Sequence, residues 1–230
     1  MSEKNEKEVD ANSKEEIKDE AKNTFDDVKE TIKNVKFQSD AKETTNFVSK
    51  IFQDPLGILK KTSEDKGNDY LKHAILLVCL WIIATLITGI YYVASNKFIA
   101  AGTRFLNVLK DLLEPIVGLI AMSLIVLVNQ KGSKKNLTTT FTTITVATIP
   151  SILLSVVEIL RLFSAQFDYV LTPLRYFAIA VTIAFMYFAT KDLTGEEENS
   201  KFIRKFIGIE FAYFVCYFIF QLLGMYLPIL

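Results

Sequence analysis

The residues of this chain that could do chemistry are a few charged side chains within or beside long apolar stretches. They are Glu114, Glu158, Arg161, Arg175 and Glu210. An ionisable side chain is expensive to place in a bilayer, so each of them is a candidate for an intramembrane polar site. Glu158 and Arg161 are three positions apart and therefore share a helical face, which Arg175 on the next stretch could oppose. These residues either form a solute site or reach the membrane interface and pair there.

The sequence lacks the patterns of common catalytic and cofactor sites. A single histidine, His73, cannot form a two-histidine metal site, and there is no Gly-x-Ser-x-Gly elbow or phosphate-binding glycine loop. Cys79 and Cys216 fall within apolar stretches, where we expect free thiols. We therefore predict a protein that is not an enzyme, with no catalytic residue, no metal site and no cofactor.

Long apolar stretches begin near residue 73 and continue almost to the C-terminus. A helix needs about 20 apolar residues to cross a hydrocarbon core, and most of these stretches approach that length. The sequence therefore predicts an all-α integral membrane protein, with a five-span bundle over residues 73–230. The predicted spans are about 73–95, 113–129, 137–160, 171–190 and 206–227.

The third predicted span is rich in threonine between Thr138 and Thr148. Threonine hydroxyls can bond to their own helix or to a neighbour, and small polar side chains let membrane helices approach closely. We expect this span to be buried in the bundle. A polar pore lining is the alternative.

Two amphipathic segments flank the first predicted span. Residues 47–72 combine apolar side chains around Asp54 with basic ones, a pattern typical of an element in the membrane interface. The basic residues include Lys50, Lys60 and Lys61. Residues 98–113 have a similar pattern, and we expect them to lie on the outer surface before Pro115 opens the second span.

Residues 1–46 form a charged arm, predicted to be partly helical or disordered. A capping box formed by Ser13 and Glu16 predicts a helix over about 13–37. The apolar residues recur at helical spacing and form a narrow stripe. The stripe comprises Ile17, Phe25, Val28, Ile32 and Val35. Such a stripe cannot build a core alone, so we expect a protein partner, a second copy in a coiled coil or a membrane surface to cover it; a frayed, solvated helix is the alternative.

The basic residues are concentrated on one side of the predicted bundle, before the first span and in the second and fourth loops. Lys131, Lys134 and Lys135 occupy the second loop, whereas the C-terminus carries none. The positive-inside rule then places the N-terminus in the cytoplasm and, with five spans, the C-terminus outside. No secretory signal peptide is expected, because residues 1–40 contain no apolar core region.

Three features of the chain occur together: the arrangement of spans, the Pro-containing element Phe52-Gln53-Asp54-Pro55-Leu56, and a third span that runs from Leu137-Thr138-Thr139-Thr140-Phe141 to Ile149-Pro150-Ser151. In these features the chain resembles the Yip-domain family of multi-pass membrane proteins. The resemblance covers residues 47–230 and implies five spans with a cytoplasmic arm. Eukaryotic members are associated with small GTPases and vesicle transport. They carry an Asp-Leu-Tyr-Gly-Pro element, from which Gln53-Asp54-Pro55-Leu56-Gly57 departs. The resemblance therefore implies a bacterial-type member in the cell membrane, without an implied GTPase partner.

These patterns together predict a membrane organiser or adaptor whose arm binds a protein partner or a second copy. The bilayer is the other partner. Nucleic acid is not expected, because Lys+Arg and Asp+Glu both number 26. The alternative is a small transporter or channel that uses the Glu and Arg residues of the outer side.

The orientation is testable by thiol labelling of a variant lacking both native cysteines. In intact cells, a cysteine at Glu197 should be protected from an impermeant maleimide, whereas one at Phe163 should react. Both should react after the membrane is permeabilised. Labelling at Glu197 alone in intact cells would reverse the orientation.

Overall fold

A computed structural model describes residues 19, 21–65, 68–95, 101–130, 136–164 and 166–226 of the chain. These residues form helices and connections, and no strand occurs among them. The all-α prediction is therefore confirmed for the described part of the chain. The helices are α1 (21–34), α2 (Phe37–Gln53), α3 (Pro55–Glu64), α4 (Leu71–Ser95), α5 (Ala101–Val128), α6 (Leu137–Ala147), α7 (Ile149–Val157), α8 (Phe167–Thr194) and α9 (Asn199–Tyr226), with a 3₁₀ turn at Glu158–Leu162.

Four of these helices are long and apolar enough to cross a membrane. They are α4, α5, α8 and α9, and α6 with α7 would make a fifth if the bent pair counts as one span. We call the end of the bundle where α4 begins and α8 ends the arm-side end, and the other the far end. Large apolar side chains of α9 such as Phe211 and Phe214 are exposed, as expected for a surface that contacts lipid.

The broken helix formed by α6 and α7 lies at the centre of the bundle. α6 contacts α3, α4, α5 and α8, and α7 contacts α4 and α8. The prediction that its threonines are buried is confirmed. Those residues are Thr138, Thr139, Thr140, Thr142, Thr143, Thr145 and Thr148. Several hydroxyls donate to carbonyls one turn back in the same helix; Thr143 Oγ1, for example, lies 2.8 Å from the Thr139 carbonyl oxygen.

The break falls between Ala147 and Ile149, and the two parts are bent by 49°. Pro150 has no N–H to give the carbonyl of Val146, and its ring disfavours helical geometry at the preceding residue. The third predicted span is therefore a bent pair of helices and not a single one.

The helices α2 and α3 form a hairpin that packs into the arm-side half of the bundle. Asp54 joins them and caps α3, since its side chain accepts a hydrogen bond from the Gly57 N–H at 3.0 Å. Ile51 and Leu59 are fully buried, together with residues of α4, α6, α7 and α8. Segment 47–72 thus has two faces: Phe47, Ile51, Ile58 and Leu59 belong to the protein core, whereas Phe52 and Leu56 are exposed.

His73 is part of the same packing. Its Nδ1 lies 2.8 Å from Thr44 Oγ1, and its ring stacks on Phe47 with centroids 4.6 Å apart. The single histidine therefore joins α2 to the first turn of α4, and it is buried instead of lying at an open interface.

Pro115 does not begin a helix, contrary to the prediction. Residues 101–113, part of the segment expected on the outer surface, belong to α5, which continues without a break through Pro115 to Val128. An internal proline removes only one helical hydrogen bond, here the one to the Asp111 carbonyl, so the helix can continue through it.

The arm helix also differs from the prediction of 13–37. The helix α1 ends at residue 34, and a separate helix begins at Phe37. The Lys36 backbone N–H donates to Asp40 Oδ2 at 2.7 Å, which fixes the start of α2. Residues 13–18 lie outside the described part of the chain.

Candidate functional site

A cavity of about 400 Å³ lies between α4, α5, α7, α8 and α9, in the half of the bundle toward the far end. Its lining is unusually polar for a helical bundle of this composition. The polar residues are Thr85, Thr88, Asp111, Glu114, Thr148, Ser155, Glu158, Tyr213 and Tyr217. Two of the predicted site residues, Glu114 and Glu158, therefore face one space, although the chain separates them by two helices.

The floor of the cavity is where the bundle closes toward the arm-side end. Trp81, Met122, Thr148 and Met186 contribute to it, and Thr148 is the residue at which the central helix breaks. Trp81 and Met186 also pack against both hydrophobic clusters of the protein. The floor is thus continuous with the packed core.

Glu158 is paired with Arg175 at the cavity wall. Arg175 Nε lies 2.5 Å from Glu158 Oε1, and both side chains are about 30 % exposed. Arg175 Nη2 also lies 3.7 Å from Asp168 Oδ1. Arg161 pairs with Asp168, at 2.8 Å between Nε and Oδ1. The structure therefore brings Arg175 opposite Glu158, but Arg161 is directed to Asp168, so that two carboxylates and two guanidinium groups form one chain of charges.

Glu114 is held by the last helix of the bundle. The Tyr217 hydroxyl donates to Glu114 Oε1 at 2.8 Å, and Gln221 Nε2 donates to Oε2 at 3.0 Å. Both donors are uncharged side chains. Gly118 leaves room for Tyr213 between α5 and α9, because a Cβ there would lie 3.0 Å from the Tyr213 hydroxyl.

Two acidic residues of this region were missed by the sequence prediction. Asp111 lines the cavity one helical turn before Glu114, and Asp168 lies two turns before Arg175 on α8. The sequence signal for both residues was their spacing. Asp111 and Glu114 are three positions apart, and Asp168 and Arg175 are seven apart, so each pair lies on one face of a helix. We missed Asp111 because its segment was assigned to the membrane surface.

Glu210, the fifth predicted site residue, is not part of this cavity. It is half-buried on α9, two turns before Tyr217, and it is not among the side chains that line the cavity. The structure therefore separates it from Glu114 and Glu158.

The charge balance of the cavity favours a cationic occupant. The carboxyl groups of Asp111, Glu114 and Glu158 line it, Arg175 pairs with Glu158, and Lys110 lies near Asp111. Trp81, Tyr213 and Tyr217 supply aromatic rings of the kind that hold organic cations. Within the described residues, no three His, Cys, Asp or Glu side chains are grouped closely enough to hold a metal ion. An organic ammonium group matches the chemistry of these aromatic rings and carboxylates.

The predicted arm stripe is divided between two environments. Phe25 and Ile32 are 69 % and 57 % exposed, whereas Val28 and Val35 are half-buried. Phe25 and Val28 border an apolar cavity of about 310 Å³ between α1 and helices α4, α5 and α6. Ile17 lies outside the described residues. The stripe therefore contacts its own bundle on one side and is open on the other.

In comparisons with known proteins, no protein-family model, no curated protein and no solved structure matches this chain.

The Glu158–Arg175 pair can be tested by a double-mutant cycle. Arg175→Leu should lower the stability of the detergent-solubilised protein, because it leaves a carboxylate unpaired near the membrane. Adding Glu158→Leu should recover part of the loss, with a coupling free energy of about 1–3 kcal/mol, between the values for exposed and buried pairs. Unfolding titrations of the four proteins measure it. Additive losses would argue against the pair.

Proposed function

We propose that this protein is a non-enzymatic membrane organiser or adaptor whose N-terminal arm binds another protein or a second copy of the chain. The proposal includes a five-span bundle, in which α6 and α7 count as one bent span, with the arm in the cytoplasm and the C-terminus outside. The lysine distribution supports this orientation.

The observation that carries the proposal is that α1 is fixed on the bundle while part of its apolar stripe stays open. Asp27 Oδ2 accepts hydrogen bonds from Thr138 Oγ1 and from Asn68 Nδ2, each at 3.2 Å. These bonds hold α1 against the start of α6, with Phe25 and Ile32 exposed. A helix that is already ordered loses less conformational entropy when it binds, which favours its use as a recognition surface.

The resemblance to the Yip-domain family supports the same proposal. It implies a cytoplasmic arm joined to a five-span bundle. The departure of residues 53–57 from the eukaryotic motif leaves a small GTPase out of the proposal. A partner that offers an apolar groove with charged edges fits α1 best, because its exposed apolar residues are flanked by lysine and carboxylate side chains.

The proposal predicts that Phe25→Ser combined with Ile32→Ser abolishes partner association and leaves the bundle folded and inserted. Phe25 borders the cavity between α1 and the bundle, but neither side chain belongs to the buried clusters, so their loss should not disturb the core. Cross-linking in native membranes, affinity purification and quantitative mass spectrometry measure the association, and the thermal transition reports folding.

The matched control on the same helix is Lys29→Ser combined with Lys33→Ser, which changes two exposed residues outside the stripe. The control protein should keep the partner that the stripe variant loses. If all three proteins recover the same partners in the same amounts, the stripe does not bind them and the adaptor proposal fails.

A second candidate function is the uptake or sensing of a small organic cation, and the cavity favours it. The site combines carboxylates with a helix that is interrupted near its middle, an arrangement that recurs at the substrate sites of transporters. Glu114 would attract the ammonium group, and the aromatic rings would contact its alkyl groups.

This candidate predicts uptake of labelled tetramethylammonium into proteoliposomes containing the purified protein. Glu114→Gln should reduce the uptake at least about tenfold, as expected when a charged partner of a bound cation is lost. Glu210→Gln is the matched control, because the same substitution then falls outside the cavity. Uptake no faster than in protein-free liposomes, or equal loss in both variants, would exclude transport through this site.

A further inference from the structure

The hairpin formed by α2 and α3 has a tip that the rest of the bundle does not cover. Phe52 is the last residue but one of α2 and Leu56 is the second residue of α3, and each is 51 % exposed. On the opposite side, Ile51 and Leu59 are fully buried against the bundle. The tip therefore has one apolar side in the core and a second apolar side that faces outward.

The neighbours of the hairpin fix its depth. Its buried side packs in one cluster with Leu77 and Phe185, which belong to candidate membrane spans. Leu77 is six residues from the start of α4, and Phe185 is nine residues from the end of α8. At 1.5 Å per helical residue, the tip thus lies roughly 9–14 Å inside the arm-side ends of these helices. Because α4 and α8 are longer than the roughly 30 Å of a hydrocarbon core, their ends extend beyond it, and a tip at this level corresponds to the outer part of a leaflet when both helices span a membrane.

Basic side chains accompany the exposed apolar pair. Lys50 precedes it on α2, and Lys60 and Lys61 follow it on α3; all three are exposed. The Asp54 carboxylate at the tip accepts a hydrogen bond from the Gly57 N–H, which partly solvates its charge. Lysines beside an apolar tip match the boundary between acyl chains and anionic headgroups.

An apolar groove next to the hairpin extends this surface. It has a volume of about 310 Å³ and lies between α2 and α4. Val48, Leu80 and Ile83 line it, and Val48 is one helical turn from Phe52 on the same face of α2. A groove that is apolar and lies alongside a candidate span suits an acyl chain.

We propose that the α2–α3 hairpin is a wedge in the arm-side leaflet that binds anionic phospholipid, with Phe52 and Leu56 among the acyl chains and the three lysines at the phosphates. This inference is independent of the arm's partner and of the cavity. It assigns the region before the first span to the membrane, as a shallow element that does not cross it. The hairpin then couples the leaflet's composition to the core through Ile51 and Leu59.

Depth is tested first, by fluorescence. Trp81 is the single tryptophan of the chain, so Trp81→Phe with Phe52→Trp leaves one reporter at the tip. In proteoliposomes, lipids brominated near the headgroup should quench this reporter more strongly than lipids brominated deep in the chain. Phe211→Trp on the same background, midway along α9, should show the opposite order.

Two results of this measurement would overturn the wedge. Quenching of Phe52→Trp by aqueous iodide and not by brominated lipid would place the tip in water. Quenching by neither agent would mean that protein, such as a second copy, covers the tip. The Phe211→Trp reporter shows in the same experiment that brominated lipid reaches an exposed site.

The choice of lipid is tested second, with Lys50, Lys60 and Lys61 all changed to Gln. Retention of phosphatidylglycerol by the purified protein, measured by native mass spectrometry, should weaken on the order of a hundredfold for three lysines. The control changes three exposed lysines of α1, outside the hairpin, to Gln: Lys22, Lys29 and Lys33. The control should bind as the wild type does. Equal retention by the wild type and the triple hairpin variant would overturn the assignment to anionic lipid.

Discussion

A helix at the centre of a membrane bundle must satisfy its own polar groups, and the rest of this structure depends on how α6 and α7 do so. Their threonines face neighbouring helices on several sides, and hydroxyls such as that of Thr143 return to carbonyls of the same helix. The threonine side chains on the surface of α6 are small, so α3, α4, α5 and α8 can approach it closely. The central helix is broken next to Pro150, because this residue has no N–H to donate and its ring disfavours helical geometry at the residue before it, and the two parts are bent by 49°.

The bend has consequences in both directions along the bundle. Toward the arm-side end, α6 packs against α3 and carries the contacts that hold the hairpin and α1. Thr139 Oγ1 donates to the Asp65 carbonyl at 2.8 Å, and Thr138 bonds to Asp27 of α1. Toward the far end, α7 leans against α8, and its Glu158 meets Arg175 beside the polar cavity. The floor residues Trp81 and Met186 pack against both hydrophobic clusters, so they connect the cavity floor to the cluster that contains the buried side of the hairpin.

The two ends of the molecule therefore offer different chemistry. The arm-side end presents lysines with exposed apolar side chains, which fits contact with a leaflet and with a partner. The far end presents a chain of paired charges and a cavity with excess carboxylate. An adaptor would use the first end, and a cation-binding protein would use the second. Both are attached to the same central helix, and neither requires bond-making chemistry from the side chains that the structure describes.

Several features could be predicted from the sequence because they depend on local composition alone. The apolar stretches gave the helices from α4 onward, since a run of about 20 apolar residues has few other stable conformations. The helix α4 is Leu71–Ser95, where the sequence predicts a span of 73–95, whereas α5 is Ala101–Val128 and passes through Pro115, where the sequence predicts a helix start. The burial of the threonine-rich segment was also predictable, because hydroxyls that can bond to their own backbone are tolerated in a packed interior.

The sequence by itself thus determined an all-α chain with a charged arm, a set of apolar helices and a few charged residues within or beside those helices. Only the tertiary structure decided which of those residues meet. Glu114 and Glu158 lie on different helices, and no spacing along the chain relates Glu158 to Asp111 or Arg161 to Asp168. That Phe52 and Leu56 are exposed while Ile51 and Leu59 face the core was equally beyond the sequence, since all four are apolar and close together in the chain. The physical reason is the same in each case: composition fixes the cost of exposing a side chain to a given solvent, whereas the partner that it finds depends on how distant helices pack.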